Sequence, residues 1–211
     1  WSGRICNMQD IQKIARKYKL KVIEDSCHGI LAEYKRRLAG NFGDMGCFSL
    51  HPLKNLNVWG DGGFIITNNK NYYKKLMLLR NHGLISRNVN KIFGYNSRLD
   101  TIQATVALHL LKKIRYITNK RISNAKYLDS NLKNISQIIL KKRQKNLKEV
   151  FHLYEFRVIN KNIRNKLLNY LQKNGIDAKI HYPIPMHLQP AAKQYKYKNG
   201  DFPICEKISR S

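Results

Sequence analysis

Acidic residues are scarce in this chain: 13 Asp and Glu stand against 40 Lys and Arg, giving a formal charge of +27. Such an excess puts anionic partners first, whether phosphate, nucleotide, nucleic acid or a membrane surface, but charge alone does not choose among them. Long apolar runs are lacking too. None approaches the roughly 18 residues of a spanning helix, and the start carries no signal-peptide pattern, so a cytoplasmic protein with no membrane partner is expected. Cysteine is limited to Cys6, Cys27, Cys47 and Cys205, with no Cys-x-x-Cys pair and no grouping with the seven histidines. Neither a disulfide framework nor a zinc or other metal site is expected from that pattern. Against these shortages, 43% hydrophobic residues over 211 positions allow one or two domains with a sizeable core. The chain begins with Trp1 rather than Met, and Phe202 to Ser211 reads as the opening of a helix, so a fragment of a longer protein is expected.

Apolar periodicity marks a helix through Ile11, Ile14, Ala15 and Tyr18, then a short strand, Leu20 to Ile23, that ends at Glu24-Asp25. Further strands are expected at Cys47 to Leu50 and Phe64 to Thr67, and a helix from Tyr72 to Asn81, stopped by Gly83. Gly60, Gly62 and Gly63 read as turn-makers before the second of these strands. Two helices follow, one from Leu99 and one from about Ile117 to Leu132, like a bridge between domains. Beyond them a strand (Val150 to Ile159), a helix (Ile163 to Lys173) and a strand (Ile176 to Tyr182) form a small α/β unit. Pro183, Pro185, Pro190 and Pro203 make the remainder a stiff, irregular loop.

Asp25 stands just past a strand end, where open α/β sheets bind ligands, though alone it reads more readily as a turn residue or helix cap. Lys54 alone is one of many surface cations. His28 alone fits a packed structural histidine, Ser49 a small strand-end residue, and Asn96 an ordinary turn residue.

In combination, these residues fall in ordered stretches: VIEDSCHG, GNFGDMGCFSLHPLKNL, GDGGFIITN, LRNHG and GYNSRLD, followed by VFHLYEFRV and IHYPIPMHLQP. The series resembles the DegT/DnrJ/StrS family of pyridoxal-phosphate-dependent nucleotide-sugar aminotransferases, of fold type I. The resemblance implies an α/β fold, with residues 1–112 as the C-terminal part of a large αβα cofactor-binding domain and residues 113–211 as a small C-terminal α/β domain. It implies that Lys54 is the Schiff-base lysine, Asp25 the partner of the pyridine nitrogen, Ser49 a ligand of the cofactor phosphate, and His28 a neighbour of the ring hydroxyl. It further implies that Asn96 reaches the phosphate of a neighbouring subunit in a homodimer with shared active sites. His181, Tyr182 and His187 would lie by the sugar-nucleotide site.

The chemistry asks for these types: an amine to form an imine and then carry a proton, and a carboxylate to keep a heterocyclic nitrogen protonated through a charge-assisted hydrogen bond. Lysine rather than histidine at position 54 favours transamination over the dehydration catalysed by some family members. The implied substrates are an amino acid, glutamate by resemblance, and a nucleoside-diphosphate keto-deoxy-sugar. IHYPIPMHLQP looks most like enzymes making 3-amino-3,6-dideoxyhexoses on thymidine diphosphate. The resemblance starts part-way along the usual family chain, after its phosphate loop and ring-stacking aromatic. A basic nucleic-acid-binding module is the rival from another class, but no aromatic stacking stripe and no concentrated basic arm support it. A non-catalytic regulatory member of the same fold is the third reading.

Overall fold

Helix α1 (Met8–Lys17) starts at Asn7, whose side chain accepts the Asp10 N–H, and ends where the Leu20 N–H returns to Ala15 O and Lys19 takes a positive φ of 52°. The computed structural model describes residues 1–211. Leu20 therefore closes a helix and does not open a strand. Val22 is claimed next: its N–H donates to Asp44 Oδ2 at 2.9 Å and its carbonyl accepts the Asp44 N–H at 2.8 Å. The strand expected from Leu20 consequently begins later, as β1 (Ile23–Asp25).

Two short strands, β2 (Glu33–Tyr34) and β3 (Arg37–Leu38), pair antiparallel, and β4 (Met45–Ser49) then lies parallel to β1. β5 (Gly63–Ile66) closes the three-stranded sheet on the far side of β4, antiparallel to it, in the order β1-β4-β5. Alternation along β4 buries Gly46 and Phe48 on one face and leaves Met45, Cys47 and Ser49 half-buried on the other. The buried face is tight. A Cβ on Gly46 would stand 2.4 Å from the Gly40 Cα, so the loop before β4 can cross the sheet only over a glycine.

Helix α2 (Lys70–Leu79) is capped by Asn69, whose Oδ1 accepts the N–H groups of Asn71 and Tyr72. A small hairpin of β6 (Leu84–Ser86) and β7 (Val89–Asn90) follows, then α3 (Thr101–Leu111) and α4 (Ile114–Leu132). Beyond α4 come β8 (Ile138–Ile139), β9 (Leu147–Lys148), β10 (Arg157–Val158), α5 (Lys161–Lys173) and α6 (Pro203–Ser209).

The chain forms two compact units: residues Trp1–Tyr127 with Arg143–Tyr154, and residues Leu128–Lys142 with Glu155–Ser211. The sequence places a boundary after residue 112, whereas the packing keeps the first part of α4 in the first unit. Ile114 belongs to the core cluster of Leu50, Leu56 and Val58, with Phe64, Leu99 and Leu110 against it. The segment at 143–154 returns to the same unit, because β9 pairs with β2 and the Val150 N–H bonds Gly3 O.

In the second unit, β10 pairs with β8, and α5 is capped by Asn160 and followed by Gly175 at φ +75°. Two strands read from the sequence are shorter or absent. Of Val150 to Ile159 only Arg157–Val158 pairs, since Phe151 adopts a left-handed φ of 48° that breaks the extended run. Ile176 to Tyr182 forms no ladder: the Ala178 N–H turns back to Ile176 O, and Tyr182 also has positive φ. The proline segment folds as two 3-10 turns, Met186–Leu188 and Pro190–Tyr195, ahead of α6.

Candidate active site

The parallel pairing of β1 and β4 sets Asp25 directly beside Cys47, and Ser49 lies two residues farther along the same face of β4, about 7 Å on. Glu24 turns the opposite way. Its buried carboxylate accepts the N–H of Gly40 at 2.8 Å on Oε2 and those of Phe42 and Gly43 on Oε1, the latter at 2.6 Å. This ties the loop ahead of β4 to β1 and fixes the strand that ends in Asp25. The sequence offers no local sign of it, since the partners lie 16 to 19 residues away.

Asp25 is exposed, and its Oδ1 accepts the Cys27 N–H at 3.1 Å. Cys27, through its side chain and its N–H, holds the Asp25 carboxyl below the ordinary aspartate range, against a smaller desolvation effect, with His28 adding to the lowering. The Cys27 thiol is displaced the other way. Burial, then its hydrogen bond to Asp25 and that residue's charge, push it up to about 11, while the Lys54 ammonium pulls it down.

Lys54 sits half-buried in the connection between β4 and β5. That connection is held at both ends. The Leu50 N–H bonds Gly62 O at 2.7 Å and the Val58 N–H bonds Leu50 O at 2.9 Å, with Leu50, Leu56 and Val58 in the core. The Lys54 N–H donates to His51 O, and its carbonyl accepts Asn57 Nδ2 at 3.1 Å. Next door, buried Asn55 donates to Val150 O at 3.0 Å. Ser49 Oγ accepts the His51 N–H at 3.2 Å, which leaves the hydroxyl proton available to an anion.

His28 is enclosed by rings, with Trp1 at 5.3 Å and His152 at 4.0 Å between centroids. Arg121 Nη1 secures the backbone of this second partner, donating to Phe151 O at 3.0 Å and His152 O at 3.3 Å. A cleft of about 240 Å³ takes in Trp1, Cys6, Asp25, Ser26 and His28, while Ser49 and Lys54 stand outside it. Asn96 is exposed in the loop after β7, where its Oδ1 accepts Arg98 Nε at 3.1 Å and its backbone bridges to Asn81.

The remaining three expected residues belong to the second unit. His181 and Tyr182 are exposed and stack edge-on at 4.2 Å. His187 is enclosed: its side chain is 8% exposed, bonded to Glu206 at 3.0 Å and packed on Phe202. That Glu206 also accepts the Gly200 N–H at 2.8 Å, so His187 is part of the clasp joining the proline segment to α6. The first unit thus gathers Asp25, His28, Ser49 and Lys54 around the carboxyl ends of β1 and β4. Among the described residues, no group of three or more His, Cys, Asp or Glu could hold a metal ion.

The model of the DegT/DnrJ/EryC1/StrS aminotransferase family matches residues 1–211. The chain belongs to this family. A relative from Aneurinibacillus thermoaerophilus, dTDP-3-amino-3,6-dideoxy-alpha-D-galactopyranose transaminase, is 37% identical over 206 residues, covering 98% of this chain and 55% of the relative. Among solved structures, S. venezuelae DesV in complex with a ketimine intermediate superposes with a TM-score of 0.92 at 31% identity, over 99% of this chain and 55% of that one. NtdA from Bacillus subtilis with bound cofactor PMP gives a TM-score of 0.81 at 31% identity, over 99% and 48%. The fold is accordingly the α/β fold type I transferase architecture of these family members. The chain spans little more than half the length of the curated relatives it matches. No helix is long and apolar enough to cross a membrane.

Proposed function

We propose that the protein to which this chain belongs is a cytoplasmic, pyridoxal-phosphate-dependent aminotransferase. It takes an amino group from an amino acid, with glutamate as donor, and passes it to a nucleoside-diphosphate-linked keto-deoxy-sugar for amino-sugar biosynthesis. The observation that carries this reading is the placing of Asp25 and Ser49 on one face at the carboxyl edge of β1 and β4, with Lys54 held in the connection that follows β4. Carbon 3 of a thymidine-diphosphate 6-deoxyhexose is the proposed acceptor position, supported by the A. thermoaerophilus relative.

The residues suit the cofactor in three respects. Asp25 is ionised at neutral pH, so its carboxylate can accept a hydrogen bond from a protonated ring nitrogen and hold the proton there. Ser49 Oγ, already an acceptor for His51, can donate its proton to a phosphate oxygen. The Lys54 amine stands on a turn fixed by buried neighbours, so Nζ can take a proton from one carbon and return it to another without large movement. When bound, the cofactor supplies an aldehyde that captures amines and a cationic ring that accepts the electron pair left by deprotonation.

His28, steadied between Trp1 and His152, is proposed to face the ring hydroxyl. His181 and Tyr182 are proposed at the sugar-nucleotide site, with His187 shaping the loop that carries them. Asn96, exposed beyond β7, is proposed to complete the partner's phosphate site in a homodimer.

The test is to express the full-length protein, add pyridoxal phosphate and look for an imine absorption band, with borohydride fixation mapped by peptide mass. An adduct on Lys54, together with amine transfer from glutamate to a 3-keto-6-deoxyhexose nucleotide, is the expected outcome. No band and no adduct sinks the reading.

A further inference from the structure

Lys54 ends a tight turn whose first residue, His51, has its side chain bonded back into that turn. Pro52 comes second, with a fixed φ and no N–H to give, and the Lys54 N–H closes the turn on His51 O at 2.8 Å. Leu53, in third place, has no positive φ, so the left-handed residue of a type II turn is absent. Its N–H finds no backbone carbonyl and is taken instead by the His51 ring, at 3.2 Å on Nδ1. On the other side, the His51 N–H donates to Ser49 Oγ at 3.2 Å. His51 is thus bonded both to the residue proposed for the cofactor phosphate and to the turn that carries the residue proposed for the imine. The bonds made by its backbone would survive any side chain. The bond to Leu53 would not, because it needs a ring nitrogen.

We propose that His51 is a positioning residue for Lys54, its Nδ1 capping the turn from which the lysine side chain leaves. The functional meaning of this rests on the reading above, in which Lys54 forms the imine; the cap itself does not. At the first position of such a turn Asp, Asn and Ser take the N–H two residues on, and Nδ1 here does the work of an Asn side-chain oxygen. Nδ1 accepts only without a proton, so the ring is the neutral tautomer that carries its proton on Nε2. Packing does not hold this part of the turn, since Pro52 and Leu53 are both exposed, the latter at 75%. Asn57 Nδ2 grips Lys54 from the far side through its carbonyl, and the cap steadies the near side. An uncapped turn would let the amine sample more directions, and a misdirected amine transfers a proton more slowly. His51 is itself exposed, so the expected effects are those of one modest hydrogen bond.

The cap is read in the cofactor-free full-length protein. At about pH 9, nitrogen-15 NMR of the His51 ring is expected to show Nδ1 bare and Nε2 protonated. Hydrogen exchange of the Leu53 amide is expected to quicken about fivefold in His51→Ala and to stay near wild type in His51→Asn, whose Oδ1 can accept the same N–H. The positioning is read in the holoenzyme. There His51→Ala is expected to lower kcat about three- to tenfold, with KM for each substrate and the melting temperature close to wild type, and His51→Asn to recover most of the loss.

A proton on Nδ1 of the neutral ring overturns the proposal, as does a Leu53 amide indifferent to His51→Ala in a folded protein. An unchanged kcat in His51→Ala overturns it too. So does a His51→Asn enzyme as slow as His51→Ala, which would mean that the ring acts by touching substrate or cofactor. A missing Lys54 adduct in wild type, with the exchange pattern present, would overturn the aminotransferase reading and leave the cap standing; an adduct with unaltered Leu53 exchange would do the reverse.

Discussion

Glu24 and Asp25, neighbours in β1, point to opposite faces of the sheet: the first accepts three buried or half-buried backbone N–H groups, and the second is exposed beside Cys47. The pleat thus gives one strand a structural carboxylate and a chemical one. Glu24→Ala strands those donors, and leaving even one buried donor unpaired costs about 1–3 kcal/mol. We expect a loss of about 3 kcal/mol or more in urea unfolding of the cofactor-free protein. Asp25→Ala, at an exposed position, should change stability by about 1 kcal/mol or less. Equal effects of the two substitutions would refute the division of labour.

Lys54 should be separable from folding. The turn that carries it is held by the backbone bonds of Leu50, Val58 and Lys54 and by buried Asn55 and Leu56, not by the lysine head group. Lys54→Ala and Lys54→Arg are expected to keep the wild-type melting temperature to within a few degrees and to lose the borohydride-fixed adduct entirely, since the arginine guanidinium stays protonated and forms no imine. Turnover surviving in either variant would remove Lys54 from its proposed role.

The residues proposed for the site are close in sequence, and each stands at or just after the end of a regular element. Asp25 closes β1, Ser49 closes β4, and Lys54 lies in the connection that follows. The same local rules located α2 and α5, where Asn69 and Asn160 cap the first turns. Contacts between distant segments were not legible. Nothing near His28 foretells that His152 will stack on it from 124 positions away, nor that Arg121 will hold that histidine's backbone. The apolar run from Val150 read as a strand, yet Val150 is fully buried in the first unit and Phe151 turns out of the extended region. Periodicity does not report such a change of partner. The turn at Asp25 was within reach: an Asp whose side chain accepts the N–H two residues on is a local motif, and the pattern Asp25-Ser26-Cys27 carries it.

Two glycines should respond differently to alanine. At Gly46 the new Cβ would sit 2.4 Å from the Gly40 Cα and 2.6 Å from its carbonyl oxygen, backbone that Glu24 holds in place. At Gly175 nothing lies within 4 Å, and only the positive φ of 75° opposes a side chain. Gly175→Ala is therefore expected to cost about 1 kcal/mol, the ordinary penalty for a left-handed alanine. Gly46→Ala should cost several times more, or prevent folding, and should also shift the Asp25 carboxyl resonance if the protein can be isolated. Denaturant midpoints compared side by side decide it, and a Gly46→Ala protein as stable as Gly175→Ala would show that the loop at Gly40 can yield.

Acid should open the clasp between the proline segment and α6. Glu206 is enclosed, and the Gly200 N–H, followed by His187 and the Phe202 N–H, holds its carboxyl below the ordinary glutamate range despite the opposing effect of desolvation. A carboxyl whose pKa is lower in the folded state contributes stability that is complete above its unfolded value, about 4.3, and declines as pH falls through the lower folded value. The Gly200 amide, 2.8 Å from Oε1, reports this directly. Its proton chemical shift should stay constant from neutral pH to about pH 5 and then titrate with a midpoint below that of an unperturbed glutamate. In Glu206→Gln the titration should vanish, and segment 198–206 should exchange its amide hydrogens faster at neutral pH, because a neutral amide is a weaker acceptor for the same N–H groups. A Gly200 midpoint at or above the ordinary glutamate value would contradict the charged clasp and leave Glu206 as a filler of space.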